Sequence, residues 1–328
     1  MTVKPRVAPA PEAPTALAAS AVLAGALCLS ISAILVKLAG VDAATTAVLR
    51  CAIAVLRCAI AVIALIPLAL LERRRHGGLS RSGILWAIAA GVALGIDYIA
   101  WTASIYLVGA GVATVLVNVQ VIVLPLLALI IDRERVSVRF LISLPLMLIG
   151  VGLVGGIVTL TEVGDSAVLG TVLGLIAGIG YGVYMFLTRR GTRRKAEGTI
   201  QPLAWATASA AVTSAVIAQF TGGLHLTGIG PSAWMYLIAL ALLGQVVAWL
   251  LINRGSVRLV PSMTASLLLI QPVLALVLAA LILGEQLTVG QALGAGLVVV
   301  AVAVANGVWR RHSRRRRQIL REPGSGPR

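Results

Sequence analysis

Ten apolar runs follow one another along the chain, and polar residues gather between them. The runs are Ala16–Leu38, Thr45–Leu71, Gly83–Val108, Ala110–Ile131, Val138–Val158, Val168–Thr188, Pro202–Phe220, Ala233–Asn253, Leu259–Leu283 and Val289–Trp309. Each is close to or beyond the ~20 residues that a helix needs to cross a bilayer. Lipid offers backbone groups no water, and a continuous helix satisfies them within itself. The pattern therefore predicts an all-α polytopic membrane protein of ten transmembrane helices. Two connections are very short, Gly109 and Gly284 to Thr288, and predict helical hairpins. Residues 1–15 are rich in Pro and Ala and read as a disordered tail.

Composition agrees with lipid as the solvent. Of 328 residues, 59% are hydrophobic and 12% charged, and the mean hydropathy is +1.01. A soluble domain carries about 25% charged residues. The 27 Lys and Arg against 11 Asp and Glu do not indicate nucleic acid, because they fall between the apolar runs. Arg73–Arg75 and Arg81 follow helix 2, Arg133, Arg135 and Arg139 follow helix 4, and Arg189, Arg190, Arg193, Arg194 and Lys195 follow helix 6. Arg254 and Arg258 follow helix 8, and Arg310, Arg311 and Arg314–Arg317 follow helix 10. The odd-to-even loops carry no Arg. This alternation predicts a multi-pass plasma-membrane protein with both termini in the cytoplasm. The basic tail then reads as an anchor at the anionic leaflet. Cys28, Cys51 and Cys58 all lie in apolar runs without metal-ligand spacing and read as small packing residues.

The chain also repeats itself. DYIAW at 97–101 matches QVVAW at 245–249. Leu116, Gln120, Leu127, Ala128, Ile131, Glu134 and Val138 match Leu267, Gln271, Leu278, Ala279, Ile282, Glu285 and Val289 at a constant offset of 151. The expected organisation is a first five-helix repeat at 16–158, an external linker at 159–167, a second repeat at 168–309, and a basic cytoplasmic tail at 310–328. Five is odd, so the second copy is inverted. Inverted repeats point to a secondary transporter whose site lies near the midplane between the halves.

These residues carry a family resemblance. Lys37 closes helix 1, an Arg enters a small-residue stretch in helix 2 (RCAIAVIALIP), and the hairpins end in ERVS at 134–137 and EQLT at 285–288. Gln271-Pro272 lies in helix 9. The chain resembles the EamA-type, ten-helix carriers of the drug/metabolite transporter superfamily from 16 to 309. A subgroup with an Asp in helix 3, a Trp four residues on and an Asn in helix 4 matches Asp97, Trp101 and Asn118. The resemblance implies a secondary carrier that exports a small metabolite, amino acid or drug-like compound by alternating access, without a cofactor. Two departures stand out. Leu29-Ser30 replaces the Trp-Gly often found in helix 1. Val121 replaces the proline that would mirror Pro272, and Pro125 displaces the expected kink by four residues.

Helix 2 contains LRCAIAV twice in tandem, at 49–55 and 56–62. Seven residues add two turns, roughly 10 Å, and nearly preserve helical phase. Arg50 and Arg57 therefore share a face. Counting from helix 1 makes Arg50 the family arginine, and counting from the cytoplasmic end makes it Arg57. The places of Pro67 and the basic loop favour Arg57.

Depth along the helices gathers a candidate site. At 1.5 Å per residue, Asp97, Arg57 and Asn118 all come out roughly 21–22 Å above the cytoplasmic edge. An ionisable residue at membrane depth is a functional-site hypothesis by default. Asp97 could take up a proton or a cationic part of the substrate, with Arg57 tuning it; the pair could equally lock helices 2 and 3. Asn118 and Gln120 lie two apart and cannot both face one cavity squarely. Gln245 mirrors Asp97 and Gln271 mirrors Gln120, and both suit neutral hydrogen bonds to substrate. Trp101 and Trp249 mirror each other, as pocket walls or as packing. Tyr181 and Tyr184 of helix 6 are weaker candidates. Glycines in helices 5 and 6 (150–156 and 174–182) allow close contact inside the bundle or in a homodimer. Small substrate, protons and lipid are the expected partners. No HExxH, GxSxG or intramembrane His supports an enzyme, and no catalytic or metal-binding residue is expected. A channel or a non-transporting sensor is the alternative class.

Overall fold

A computed structural model of the chain describes residues 13–38, 47–154, 165–192, 198–220, 231–283 and 288–305. Both tails, Glu285, and the side chains of Lys37, Arg50 and Cys51 lie outside the described residues, as do residues 159–164 of the expected linker. The described chain is helical: α1 (Ala13–Leu38), α2 (Ala47–His76), α3 (Arg81–Val117), α4 (Gln120–Asp132), α5 (Val138–Val154), α6 (Asp165–Thr192), α7 (Ile200–Phe220), α8 (Pro231–Ala239), a π-helical segment (Leu240–Val247), α9 (Ala248–Ser256), α10 (Pro261–Leu268), α11 (Ile270–Leu283) and α12 (Val289–Ala305).

These elements make ten spans. α3 holds two of them, because its backbone reverses direction. A methyl group at Gly174 would lie 2.6 Å from Leu116 Cδ1 and 2.8 Å from Ser104 Oγ. A straight helix would hold residues 104 and 116 roughly 18 Å apart. Helical backbone therefore continues through the turn expected at Gly109, and the hairpin still forms. Span 4 comprises the end of α3 and α4. Span 8 is α8, the π segment and α9, and span 9 is α10 and α11.

Helix directions show the inversion. Gly255 lies against Ala18 and Val22, Gly25 against Ala248 and Ile252, and Gly244 against Ser32, so α1 runs antiparallel to span 8. α1 thus starts at the end where the Arg-rich segments lie, here called the basic end. α6 finishes there, with Arg189 bonded to the carbonyls of Ser256 and Leu259. The first helices of the two repeats run in opposite directions. Each packs against the other repeat: α1 lies on spans 8 and 9, and α6 lies on spans 3 and 4. α5 pairs antiparallel with α12, where Gly150 meets Gly294 and Val298. The described glycines of α5 and α6 therefore serve contacts within the bundle.

The helix break in span 4 corrects an expectation. It falls at Asn118 and Val119, where Val119 N–H bonds to Leu116 O (3.1 Å) and Val121 N–H to Asn118 O (3.0 Å). Pro125 does not displace it; α4 runs through Pro125 unbroken. Position 118 mirrors Leu269, where span 9 breaks and Leu269 N–H bonds to Ser266 O (3.2 Å). In span 9 the break precedes Pro272, which lacks the N–H that would hold Leu268 O. Span 4 has the same break without that proline. Span 8 also departs from the continuous helix expected, since eight residues around Gly244 widen into a π turn.

At the basic end the spans are tied by polar groups. Glu72 at the end of α2 is buried and accepts the N–H groups of Thr199, Ile200 and Gln201 at 3.0, 3.1 and 2.7 Å. A carboxylate there satisfies orphan donors and opposes the α7 dipole. Arg190 pairs with Asp132 at 3.1 Å, and Arg189 pairs with Glu134 at 3.4 Å.

Candidate functional site

A largely apolar cavity that carries a few polar side chains lies between the two repeats, with about 90 Å³ of solvent-accessible space. Arg57 reaches it from α2, Asp97 and Trp101 from α3, Asn118 from the break before α4, Trp249 from α9 and Gln271 from α11. With Tyr181 of α6, seven of the ten residues singled out from the sequence thus converge. Ser30, Ser32 and Tyr98 also face the cavity.

Asp97 is 5% exposed. Its helix approaches α6 closely because position 180 is glycine. A methyl group there would stand 2.8 Å from Ala93 O and 3.3 Å from the Asp97 Cβ. Arg57 does not clasp the carboxylate. The ion pairs among the described residues join Arg189 to Glu134 and Arg190 to Asp132. The Arg57 guanidinium instead donates through Nη2 to Gly244 O at 2.9 Å and stacks 4.5 Å above the Tyr98 ring. Arg57 thus joins α2 both to Tyr98 of α3 and to the π segment of the other repeat, without an ion pair to Asp97. π turns recur at functional sites, and this one sets a backbone carbonyl in front of a buried cation.

Helix 2 is held in register at two points. Arg57 meets Gly244 O, and Glu72, fifteen residues on, holds α7. Among the described residues, Arg57 is the arginine in the cavity.

Tyr98 is the residue sequence reasoning missed. Its hydroxyl donates to Gln245 Oε1 at 2.5 Å and accepts from Trp249 Nε1 at 3.0 Å. Gln245 Nε2 donates onward to Thr207 Oγ1 at 3.4 Å. A hydrogen-bonded rail thus joins α3, the π segment, α7 and α9 behind the cavity wall. Its only sequence signal is adjacency: Tyr98 follows Asp97 and lies one turn before Trp101 on the same face. The mirror position is Val246, so the repeat gave no warning.

Three expected site residues do not line the cavity. Both groups of the Gln245 amide are engaged, by Tyr98 and Thr207. Tyr184 packs behind Trp249, edge to face at 4.6 Å, and accepts from Asn253 Nδ2 at 3.2 Å. Gln120 points away because two residues turn it about 200° from Asn118; its amide is buried without a partner among the described residues. Trp101 and Trp249 do both form walls, and Tyr181 stands edge to face on Trp249 at 5.5 Å.

Around the cavity, Arg57 Nε, Trp101 Nε1 and the Tyr181 hydroxyl have no hydrogen-bond partner among the described residues. An orphaned buried donor costs roughly 1–3 kcal/mol. Donors of that kind beside a carboxylate and aromatic rings can hold a small molecule with polar and apolar parts.

Ten spans in two inverted repeats, with a cavity bearing polar side chains between them, define a membrane transporter. The chain belongs to the EamA-like transporter family, which it matches over residues 16–156 and again over 168–307. It is 27% identical over 198 residues to an uncharacterized transporter of Archaeoglobus fulgidus. That match covers 60% of this chain and 66% of the relative's length. A solved crystal structure shares the fold, with a TM-score of 0.71 over 92% of this chain and 99% of that one, at 17% identity.

Proposed function

We propose that the protein is a secondary carrier of the plasma membrane that exports a small metabolite, amino acid or drug-like compound by alternating access. In this reading the basic end faces the cytoplasm, following the Lys and Arg distribution. Asp97 receives a proton or a cationic group of the substrate, and Asn118, Gln271, Trp101 and Trp249 bind the rest of it. Arg57 fixes the local field and the wall rather than neutralising Asp97.

The observation that carries the reading is the Asp97 carboxylate. It lies on a cavity between inverted repeats, and its nearest arginine is bonded elsewhere. A carboxylate buried at membrane depth is costly even with a cation lining the same cavity, and a group kept there is expected to take part in the cycle. One that must lose its proton before substrate binds couples the two fluxes.

The test is flux in proteoliposomes of the full chain, with and without a pH gradient. Saturable flux that rises with the gradient supports a coupled carrier. Asp97→Asn should remove the gradient dependence while expression is retained. Flux that does not saturate indicates a channel, and unchanged gradient dependence in Asp97→Asn removes proton coupling from the reading.

A further inference from the structure

A second cavity lies away from the central one. At the basic end, a cleft of about 440 Å³ opens between the segment leading into α5, the start of α10 and the end of α12. Arg135, Arg139 and Ser262 stand on it, with Val138 and Val260 at its apolar edge.

Four observations point to an anion with an apolar tail. Neither arginine has an acidic partner among the described residues; the adjacent acids, Asp132 and Glu134, pair with Arg190 and Arg189. Ser262 is only 7% exposed and lines the cleft. α10 begins there with Pro261 and no side-chain cap, so its positive end meets the same space. Val138 and Val260 are 69% and 55% exposed, and Leu141 and Ile142 continue that exposed face along α5.

The repeat supplies a control. At the offset of 151, Arg135, Arg139 and Ser262 correspond to Gln286, Gly290 and Gly111. A feature required by the fold of each repeat would appear twice. This one appears once, at the end where basic residues gather. Guanidinium groups pair with phosphate oxygens through charge-assisted, often bidentate, bonds.

We propose that this cleft binds the phosphodiester headgroup of an anionic phospholipid. Arg135 and Arg139 hold the phosphate, Ser262 donates its hydroxyl, and the acyl chains lie along the exposed face of α5. The proposal rests on the membrane fold and not on the transport reading.

The full chain, purified in neutral detergent, is examined by native mass spectrometry with phosphatidylglycerol or phosphatidylcholine. Phosphatidylglycerol adducts should survive activation that strips phosphatidylcholine. The double variant Arg135→Gln/Arg139→Gln should lose about tenfold in that retention, and Ser262→Ala a smaller part of it. Arg74→Gln/Arg75→Gln removes the same charge from the exposed end of α2 and should retain the lipid. If the first double variant does not run as the wild type in gel filtration, Arg139→Gln alone is read instead. Equal retention of the two lipids overturns the proposal, as does undiminished phosphatidylglycerol binding without the arginines. Full displacement of the lipid by millimolar inorganic phosphate would assign the cleft to a free anion and overturn the lipid as its occupant.

Discussion

Tyr98 shows how one hydroxyl can organise a wall. It is buried, bonded to Gln245 and Trp249, and covered by Arg57. Tyr98→Phe keeps the ring and removes the hydroxyl, leaving an amide oxygen and an indole N–H unpaired. The expected cost is about 1–3 kcal/mol, measured as a lower midpoint in denaturation of the detergent-solubilised protein. Trp249→Phe loses one bond and also leaves a void where the indole packs on Tyr181 and Tyr184, so its loss should be at least as large. If Tyr98→Phe leaves the midpoint unchanged, the rail does not hold the wall. Asp97 and Trp101 were legible as singular residues in apolar sequence. Tyr98 was not, because a tyrosine in a membrane helix is unremarkable until its partners on other helices are known.

At the scale of elements, the site depends on close helix approach and on register. Gly180→Val puts a branched side chain where a methyl already meets Ala93 O and Asp97. Overpacking of this kind costs typically 1–3 kcal/mol. Flux should fall while membrane insertion is kept, and full flux would show that α3 and α6 can separate without moving Asp97. Register in α2 is fixed by Arg57 and Glu72. The first copy of the heptad lies beyond both anchors. Deletion of residues 49–55 should therefore leave an inserted, folded protein, checked by membrane fractionation and gel filtration. Failure to insert would mean that the first copy bears on folding. Glu72→Gln sets an NH2 against one of the α7 N–H donors and should cost about 1–3 kcal/mol, read as a lower denaturation midpoint.

Across the whole molecule, Arg189, with Glu72 and Arg190, fastens the two repeats at the basic end. Arg189 bridges Glu134 of the first repeat and the carbonyls of Ser256 and Leu259 of the second. Hydrogen bonds made by a charged group are worth about 1.5–3 kcal/mol. Arg189→Gln should favour states open at that end. A cysteine placed at Ser30, in a chain without Cys28, Cys51 and Cys58, would report this. Membrane-impermeant thiol reagent added at the basic side should label it faster in Arg189→Gln than in the parent. Equal labelling rates would show that Arg189 does not govern access.

The number of spans, the inverted repeat and the common level of Asp97, Arg57 and Asn118 along their helices could all be read from the sequence. Hydrophobic length, charge alternation and helical rise are local quantities, and they add up along the chain. It also placed the hairpin between spans 3 and 4, although the turn itself retains helical backbone. Only the tertiary structure decided which partner each polar group takes. Arg57 chooses a carbonyl of the π segment over Asp97, and Gln245 turns to Tyr98 instead of the cavity. The break in span 4 follows its mirror at Leu269 and not its own proline. Each of these choices is made between helices far apart in sequence, where packing geometry and not local propensity sets the lowest free energy.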